Sequence, residues 1–154
     1  MQNLLPLLDL QAEINPYVSD YDGLIKEGCK RSLSFFIKKA WEVLEPGQPY
    51  AHGWHIDAMA EHLEAITHGQ INRLLINIPP GTMKSLMTSV FWPAWEWGPA
   101  GMAHNRIIGA SHEQSLAIRD STRMRDLINS EWYQRLWPLV LKKDQNAKLN
   151  FQNE

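Results

Sequence analysis

Cysteine is almost absent from this sequence, since Cys29 is the only one among 154 residues. An internal disulfide is therefore excluded, and a reducing compartment is favoured. No stretch approaches the roughly 18 apolar residues that a membrane span needs. The first residues lack the basic region and the long apolar core of a signal peptide. A formal net charge of −2 gives no global basic field, so a DNA partner is neither indicated nor excluded by charge.

The composition is that of an ordinary globular protein. Hydrophobic residues make up 44% and charged residues 21% of the chain, and its length suffices for one domain with a core. Seven tryptophans are many for this length. They indicate either a well-filled core or an aromatic surface that receives a partner.

The most informative stretch is Pro79-Pro80-Gly81-Thr82-Met83-Lys84-Ser85. An apolar run precedes it and a helical pattern follows it, which is the layout of a phosphate-binding loop. Backbone N–H groups at the start of a helix can hold a polyphosphate, which a lysine reaches as a point charge. In this reading, Lys84 contacts the β- and γ-phosphates, and the hydroxyl of Ser85 ligates Mg²⁺.

The loop departs from the standard pattern Gly-x-x-x-x-Gly-Lys-[Ser/Thr]. Aligned on Lys84, the two glycines of the pattern fall on Ile78 and Met83, and Gly81 supplies backbone freedom at another position. The alternative reading is a strand-to-helix turn with an ordinary surface lysine.

Hydrophobic periodicity predicts an α/β fold. Near-continuous apolar character predicts a buried parallel strand at Arg73–Ile78 and a second strand at Arg106–Ala110. Strand-like alternation also begins at Lys148–Gln152. Apolar spacing of three and four residues predicts helices over 34–44, 56–69, 85–97, 111–129 and 130–137, with a kink or an early end at Pro93 and caps at Ser111 and Ser130. Residues 1–30 are weakly patterned, with turn signals at Asn15-Pro16 and Asp22-Gly23.

Several segments together resemble the ATPase domain of tailed-phage terminase large subunits, the motors that package viral DNA. The residues that carry this resemblance are Pro79, Pro80, Lys84 and Ser85, then Trp92-Pro93-Ala94-Trp95, Ser130-Glu131-Trp132-Tyr133 and Arg135-Leu136-Trp137-Pro138. The family loop commonly reads Pro-Pro-Arg-x-x-Lys-Ser, and Gly81 stands where that arginine often is. The resemblance covers roughly residues 30 to 150.

The resemblance implies an incomplete P-loop NTPase of the additional-strand type, with parallel strands flanked by helices and a helical amino-terminal region. Residues 31–154 would be the first part of this ATPase domain, and the nuclease domain of the family is missing. The implied cofactors are ATP and Mg²⁺, and Lys84 is the candidate catalytic residue. The expected contacts with the nucleotide are Pro80, Gly81, Thr82, Met83, Lys84, Ser85, Trp54 and His55, with Ser85 also as the Mg²⁺ ligand.

Trp54 and His55 enter this set because family members have an adenine-contacting segment upstream of the loop. Trp54 would stack on the base and His55 would bond its edge, although the glutamine typical of that segment is missing and a structural aromatic is the alternative. His52 and His55 lack the further ligands that zinc needs. Arg119, Arg123 and Arg125 are candidates for an arginine that stabilises charge in phosphoryl transfer, with surface ion pairing as the alternative.

Turnover of ATP also needs an acidic residue for Mg²⁺ and a carboxylate that orients water. No apolar run ending in Asp-Asp or Asp-Glu follows Ser85. We therefore expect the front of a longer reading frame, inactive by itself. In the full motor the partners implied are double-stranded DNA, the portal protein and the small terminase subunit, in a homo-oligomeric ring in the host cytoplasm. The alternatives are a non-catalytic nucleotide-binding or assembly module, or another P-loop enzyme such as a helicase-like protein.

Overall fold

The computed structural model describes residues 20–141, which contain helices joined by loops and no sheet. The amino-terminal residues 1–19 and the predicted strand at Lys148–Gln152 lie outside this range. The elements are α1 (20–31), α2 (Leu33–Leu44), α3 (Trp54–Thr67), α4 (Lys84–Leu86), a π-helical turn (Met87–Phe91), α5 (Trp92–Trp97), α6 (Gln114–Asn129) and α7 (Glu131–Leu136).

The predicted α/β fold is wrong for this part of the chain. Residues 73–78 and 106–110 contain no paired strand, and neither segment joins a sheet among the described residues. Leu75 is 93% exposed and Ile108 is 95% exposed, which contradicts strands buried on both faces. The physical reason is that an apolar run becomes a strand only where a neighbouring backbone accepts its hydrogen bonds.

The helices predicted at the start of the chain form, and one more precedes them. Residues 20–31 are helical, so the turn predicted at Asp22-Gly23 is wrong. The side chain of Ser32 caps α2 by accepting a hydrogen bond from the Phe35 amide at 3.2 Å. The first amides of a helix have no partner within that helix. Here the carboxylate of Glu64 in α3 accepts the hydrogen bond from the amide of Leu33. Packing of α3 against α2 therefore also completes the cap of α2.

The two predicted caps of the later helices have different outcomes. Ser130 is confirmed as the cap of α7, because its hydroxyl accepts a hydrogen bond from the Tyr133 amide at 3.2 Å. Ser111 is not a cap, since α6 begins at Gln114 with Glu113 in the N-cap position. The capping-box spacing therefore predicted the helix but placed its start too early.

Residues 84–97 form one continuous helical segment, which we call the central helix. Met87, Val90, Phe91 and Ala94 have no measurable exposure, and Trp95 is almost as deeply buried. Pro93 has no amide proton and would interrupt an ordinary α-helix. The π-helical turn at Met87–Phe91 immediately precedes α5, and the segment continues to Trp97. A local change of helix type, rather than an end, accommodates the proline.

Two aromatic side chains tie the central helix to the rest of the core. The indole Nε1 of Trp95 donates to the carbonyl of Cys29 in α1 at 2.6 Å. The hydroxyl of Tyr133 in α7 donates to the carbonyl of Ala94 at 2.7 Å. Tyr133 can come this close because Gly98 has no Cβ. A Cβ at that position would lie 2.4 Å from the hydroxyl. Burial raises the pKa of the Cys29 thiol to about 12, so this group stays protonated.

A polar network lies beside this core. Glu96 is 5% exposed, and its carboxylate accepts hydrogen bonds from the hydroxyl of Thr67 at 2.7 Å and from the amide of Asn105 at 3.3 Å. The hydroxyl of Thr67 in turn accepts the indole proton of Trp92 at 2.8 Å. A buried carboxylate is tolerated only when its lone pairs are occupied, so Thr67 is the link on which this network depends.

Replacing Thr67 with valine keeps the shape of the side chain and removes its hydroxyl. We expect the Thr67→Val change to lower the free energy of unfolding by about 2 kcal/mol, because Glu96 loses a donor and Trp92 loses its acceptor. Urea unfolding of the purified chain measures this change.

Thr88→Val is the matched control. The hydroxyl of Thr67 lies 3.2 Å from the carbonyl of Leu63, four residues earlier in its helix. The hydroxyl of Thr88 makes the same local contact, with the carbonyl of Lys84 at 3.1 Å, but it holds no buried carboxylate. We expect its loss to cost less than about 1 kcal/mol. Equal costs for the two variants would show that the network contributes nothing beyond the local bond.

Candidate functional site

A cavity of ≈ 310 Å³ opens where the loop before the central helix meets α2 and α6. This volume is at the small end of the range of about 300–1,000 Å³ usual for small-molecule sites. The cavity gathers most of the residues that the sequence assigned to a nucleotide. Its lining consists of Trp41, Pro79, Pro80, Gly81, Thr82, Met83, Lys84, Ser85, Leu86, Arg119 and Arg123.

The shape of the loop comes from two residues with left-handed backbone angles. Gly81 has φ +81°, and Met83 has φ +66°. The hydroxyl of Thr82 donates to the carbonyl of Pro79 at 2.7 Å and closes the turn. Met83 stands where the phosphate-loop pattern has its second glycine, and it adopts an angle that glycine favours. An alternation of left-handed and right-handed residues turns backbone N–H groups into an anion-binding concavity.

Lys84 is the first residue of the central helix and lines the cavity. The helix begins there because the Met83 carbonyl accepts the Met87 amide at 2.9 Å. Within residues 20–141, the ammonium group of Lys84 has no ion pair with a carboxylate. Ser85 is exposed beside it at the same rim. A lysine at the start of a helix, without a carboxylate partner among residues 20–141, favours an anionic ligand.

Arg119 and Arg123 bring further positive charge from α6, four residues apart on one helix face. Arg119 pairs with Asp120 at 2.8 Å. Arg123 pairs with Glu45, at the end of α2, at 2.9 Å. The surface ion pairing that the sequence offered as an alternative is therefore present. Both arginines nevertheless line the cavity, whereas Asp120 and Glu45 are absent from its lining.

The aromatic side chain in this lining is Trp41, which the sequence placed on an ordinary apolar stripe. Its indole Nε1 donates to the carbonyl of Gln48 at 2.8 Å, and its ring contacts Tyr50 with centroids 6.1 Å apart. Neither Trp54 nor His55 lines the cavity. Trp54 begins α3 with 81% of its surface exposed, and its ring meets that of His55 edge-on. The base contact assigned to these two residues stays a prediction.

The histidine that precedes α3 belongs to a different cluster. Asp57 accepts a hydrogen bond from the hydroxyl of Ser34 at 2.6 Å and bonds His52 Nε2 at 2.9 Å. The pKa of Asp57 is lowered, chiefly by the hydrogen bond from Ser34; burial opposes this effect, and the bond to His52 and its charge add smaller lowering effects. Serine bonds the carboxylate rather than the imidazole, so this is not the arrangement that activates a serine nucleophile. Among residues 20–141, no group of His, Cys, Asp and Glu side chains is placed to hold a metal ion.

A larger cavity of ≈ 500 Å³ lies at the other end of the central helix. It is lined by Trp97, Gly98, Ala103, Leu136, Trp137, Pro138, Leu139 and Val140. None of these side chains carries a charge, so its chemistry suits apolar groups. The smaller cavity is therefore the better candidate for a functional site, because it combines cations with an unusual backbone.

No protein-family model, curated protein or solved structure matches this chain. Within the described residues, no helix has both the length and the apolar character required to cross a bilayer.

The backbone angle of Gly81 gives a test of the loop. An alanine Cβ there would meet nothing within 4 Å, so any cost of Gly81→Ala comes from the left-handed angle. We expect this change to lower the free energy of unfolding by about 1 kcal/mol. Chemical denaturation followed by circular dichroism measures it.

Gly47→Ala is the control, because Gly47 also has open space around its Cβ position but no left-handed angle. We expect this variant to be as stable as the parent or up to about 1 kcal/mol more stable. Gly81→Ala as stable as Gly47→Ala would contradict the left-handed loop.

Proposed function

We propose that the cavity beside residues 79–85 binds the triphosphate of ATP, and that this chain is the ATP-binding portion of a DNA-packaging motor of the terminase large subunit type. The observation that supports binding is the meeting of Lys84, Arg119 and Arg123 around one concave loop. Since the described residues form no sheet, the proposal rests on this loop and its cations and not on a P-loop fold.

The charges suit a polyphosphate better than a single carboxylate ligand. Lys84 has no carboxylate partner in the part of the chain described here, whereas each arginine carries one. A triphosphate with several negative charges can engage the lysine and compete for the arginines. Loop amides would bond its oxygens, as in other backbone concavities that bind phosphate.

The motor assignment is supported by sequence resemblance. The loop residues Pro79, Pro80, Lys84 and Ser85, together with Trp92-Pro93-Ala94-Trp95, are similar to those of terminase ATPase domains. In a complete motor, ATP hydrolysis would drive double-stranded DNA into a preformed capsid in the host cytoplasm. The portal protein and the small terminase subunit would be its partners, in a homo-oligomeric ring.

Magnesium would enter with the nucleotide. Mg²⁺ keeps several waters and typically binds through phosphates and one or two carboxylates rather than through a protein cage. The exposed hydroxyl of Ser85 at the rim fits such a site as one oxygen ligand. Bound there, Mg²⁺ would neutralise charge on the phosphates. Lys84 would hold the phosphate chain in place.

Lys84→Ala should weaken binding of ATP with Mg²⁺ by at least about tenfold, because a charge-assisted contact contributes roughly 1.5–3 kcal/mol. Titration with a fluorescent ATP analogue measures the dissociation constant. Lys38→Ala is the matched control, since Lys38 is exposed on α2 and does not line the cavity. Equal affinity of the Lys84→Ala variant and the parent would reject the phosphate-binding role.

A second candidate function is nucleotide binding without turnover. The lining of the cavity, as far as residues 20–141 define it, contains no carboxylate that could orient water or complete a Mg²⁺ site. Glu96 is engaged with Thr67 and Asn105, and Glu113 accepts a hydrogen bond from Ser115.

We expect the isolated chain to release no phosphate from ATP above background, because the described lining of the cavity has no carboxylate to orient water or to complete a Mg²⁺ site. A phosphate-release assay on the purified protein tests this. The Lys84→Ala variant separates true turnover from a contaminating ATPase, because only turnover at this cavity would require the lysine. Phosphate release that Lys84→Ala abolishes would exclude the second candidate.

A further inference from the structure

We infer, on the basis of the proposed function, that the indole of Trp41 forms the wall on which the base of the bound nucleotide stacks. The cavity has two chemically different parts. Lys84, Arg119 and Arg123 supply the cationic part, and Trp41 supplies the aromatic surface of the lining. A ligand with an anionic end and a flat π-system, as a nucleotide has, matches both parts.

Trp41 is held in a fixed orientation before any ligand arrives. Its Nε1 proton is engaged by the carbonyl of Gln48, and its ring packs against Tyr50 at an interplanar angle of 59°. The ring therefore has no free polar group to offer to a base edge. Its role is contact through its face, at little cost in conformational entropy because the side chain is already ordered.

The position of Trp41 relative to the cations follows from helix packing. Trp41 lies in the last turn of α2, and Glu45 directly follows this helix as its C-cap, where its amide donates to the carbonyl of Trp41 at 2.8 Å. Glu45 binds Arg123 of α6 at 2.9 Å. This ion pair joins the end of α2 to α6, and Trp41 and Arg123 line the same cavity.

Trp54, the base contact expected from the sequence, supplies the natural comparison. It is exposed, it begins a different helix and it does not line the cavity. Replacing each tryptophan with leucine therefore distinguishes the two assignments, because only the tryptophan that contacts the base should affect ATP binding.

The test compares ATP with inorganic tripolyphosphate, both with Mg²⁺, by isothermal titration calorimetry on the full chain. Tripolyphosphate has the phosphates but no base. We expect Trp41→Leu to weaken ATP binding by about tenfold, within the range that stacking contributes per base, and to leave the affinity for tripolyphosphate unchanged. Trp54→Leu should change neither affinity.

Trp41→Phe covers the case in which leucine disturbs the fold, because phenylalanine retains a stacking ring. We expect it to bind ATP within about threefold of the parent, again with unchanged tripolyphosphate affinity. A parent chain that binds tripolyphosphate as tightly as ATP would overturn the inference without recourse to any variant. Loss of ATP affinity in Trp54→Leu but not in Trp41→Leu would also overturn it.

These outcomes separate the inference from the proposed function. If the parent binds neither ATP nor tripolyphosphate, the phosphate site itself fails, and the stacking role fails with it. If both ligands bind and the Trp41 variants leave their ratio unchanged, the phosphate site stands and the stacking role is wrong.

Discussion

Burial of the central helix is the constraint on which the rest of the described structure depends. Its inner face is excluded from solvent, and Trp95 and Ala94 are bonded to α1 and α7 respectively. Burying large apolar side chains contributes roughly 1.5–3 kcal/mol each, so this helix cannot shift without a large loss. Its first residue, Lys84, is consequently held at the cavity rim. The position of Lys84 therefore depends on the packing of Ala94 and Trp95, which lie near the other end of the same helix.

The polar groups near the core serve this same helix. Glu96 is buried in α5, yet Thr67 and Asn105 occupy its carboxylate and connect it to α3 and to the following turn. A buried carboxylate without such donors would be strongly destabilising. The ion pair between Glu45 and Arg123 plays a related part at the cavity, where it joins α2 to α6. Both contacts fix relative positions of helices, which is what a site made from separate elements requires.

Sequence patterns predicted the helices well and the sheet badly. Apolar residues at intervals of three and four identify α2 and α3, because a helix satisfies its backbone hydrogen bonds internally. The runs at Arg73–Ile78 and Arg106–Ala110 predicted strands, but strand formation depends on a partner that the run itself does not specify. Ile108, at 95% exposure, shows the consequence within the described residues. The residue types of the loop before Lys84 were sufficient to single it out, although they do not reveal which other helices lie beside it.

What the sequence by itself determined is the helices that follow α1, the Ser130 cap and the residues of the loop, since these follow from neighbours within a few positions. Tertiary structure alone decided that Arg119, Arg123 and Trp41 share a cavity with Lys84. Trp41 reads as an ordinary member of an apolar stripe, and Trp54 reads as the better aromatic candidate, because periodicity does not reveal which helix faces which. That choice is made when helices pack, since burial of their apolar faces sets their relative orientation and thereby decides which side chains meet.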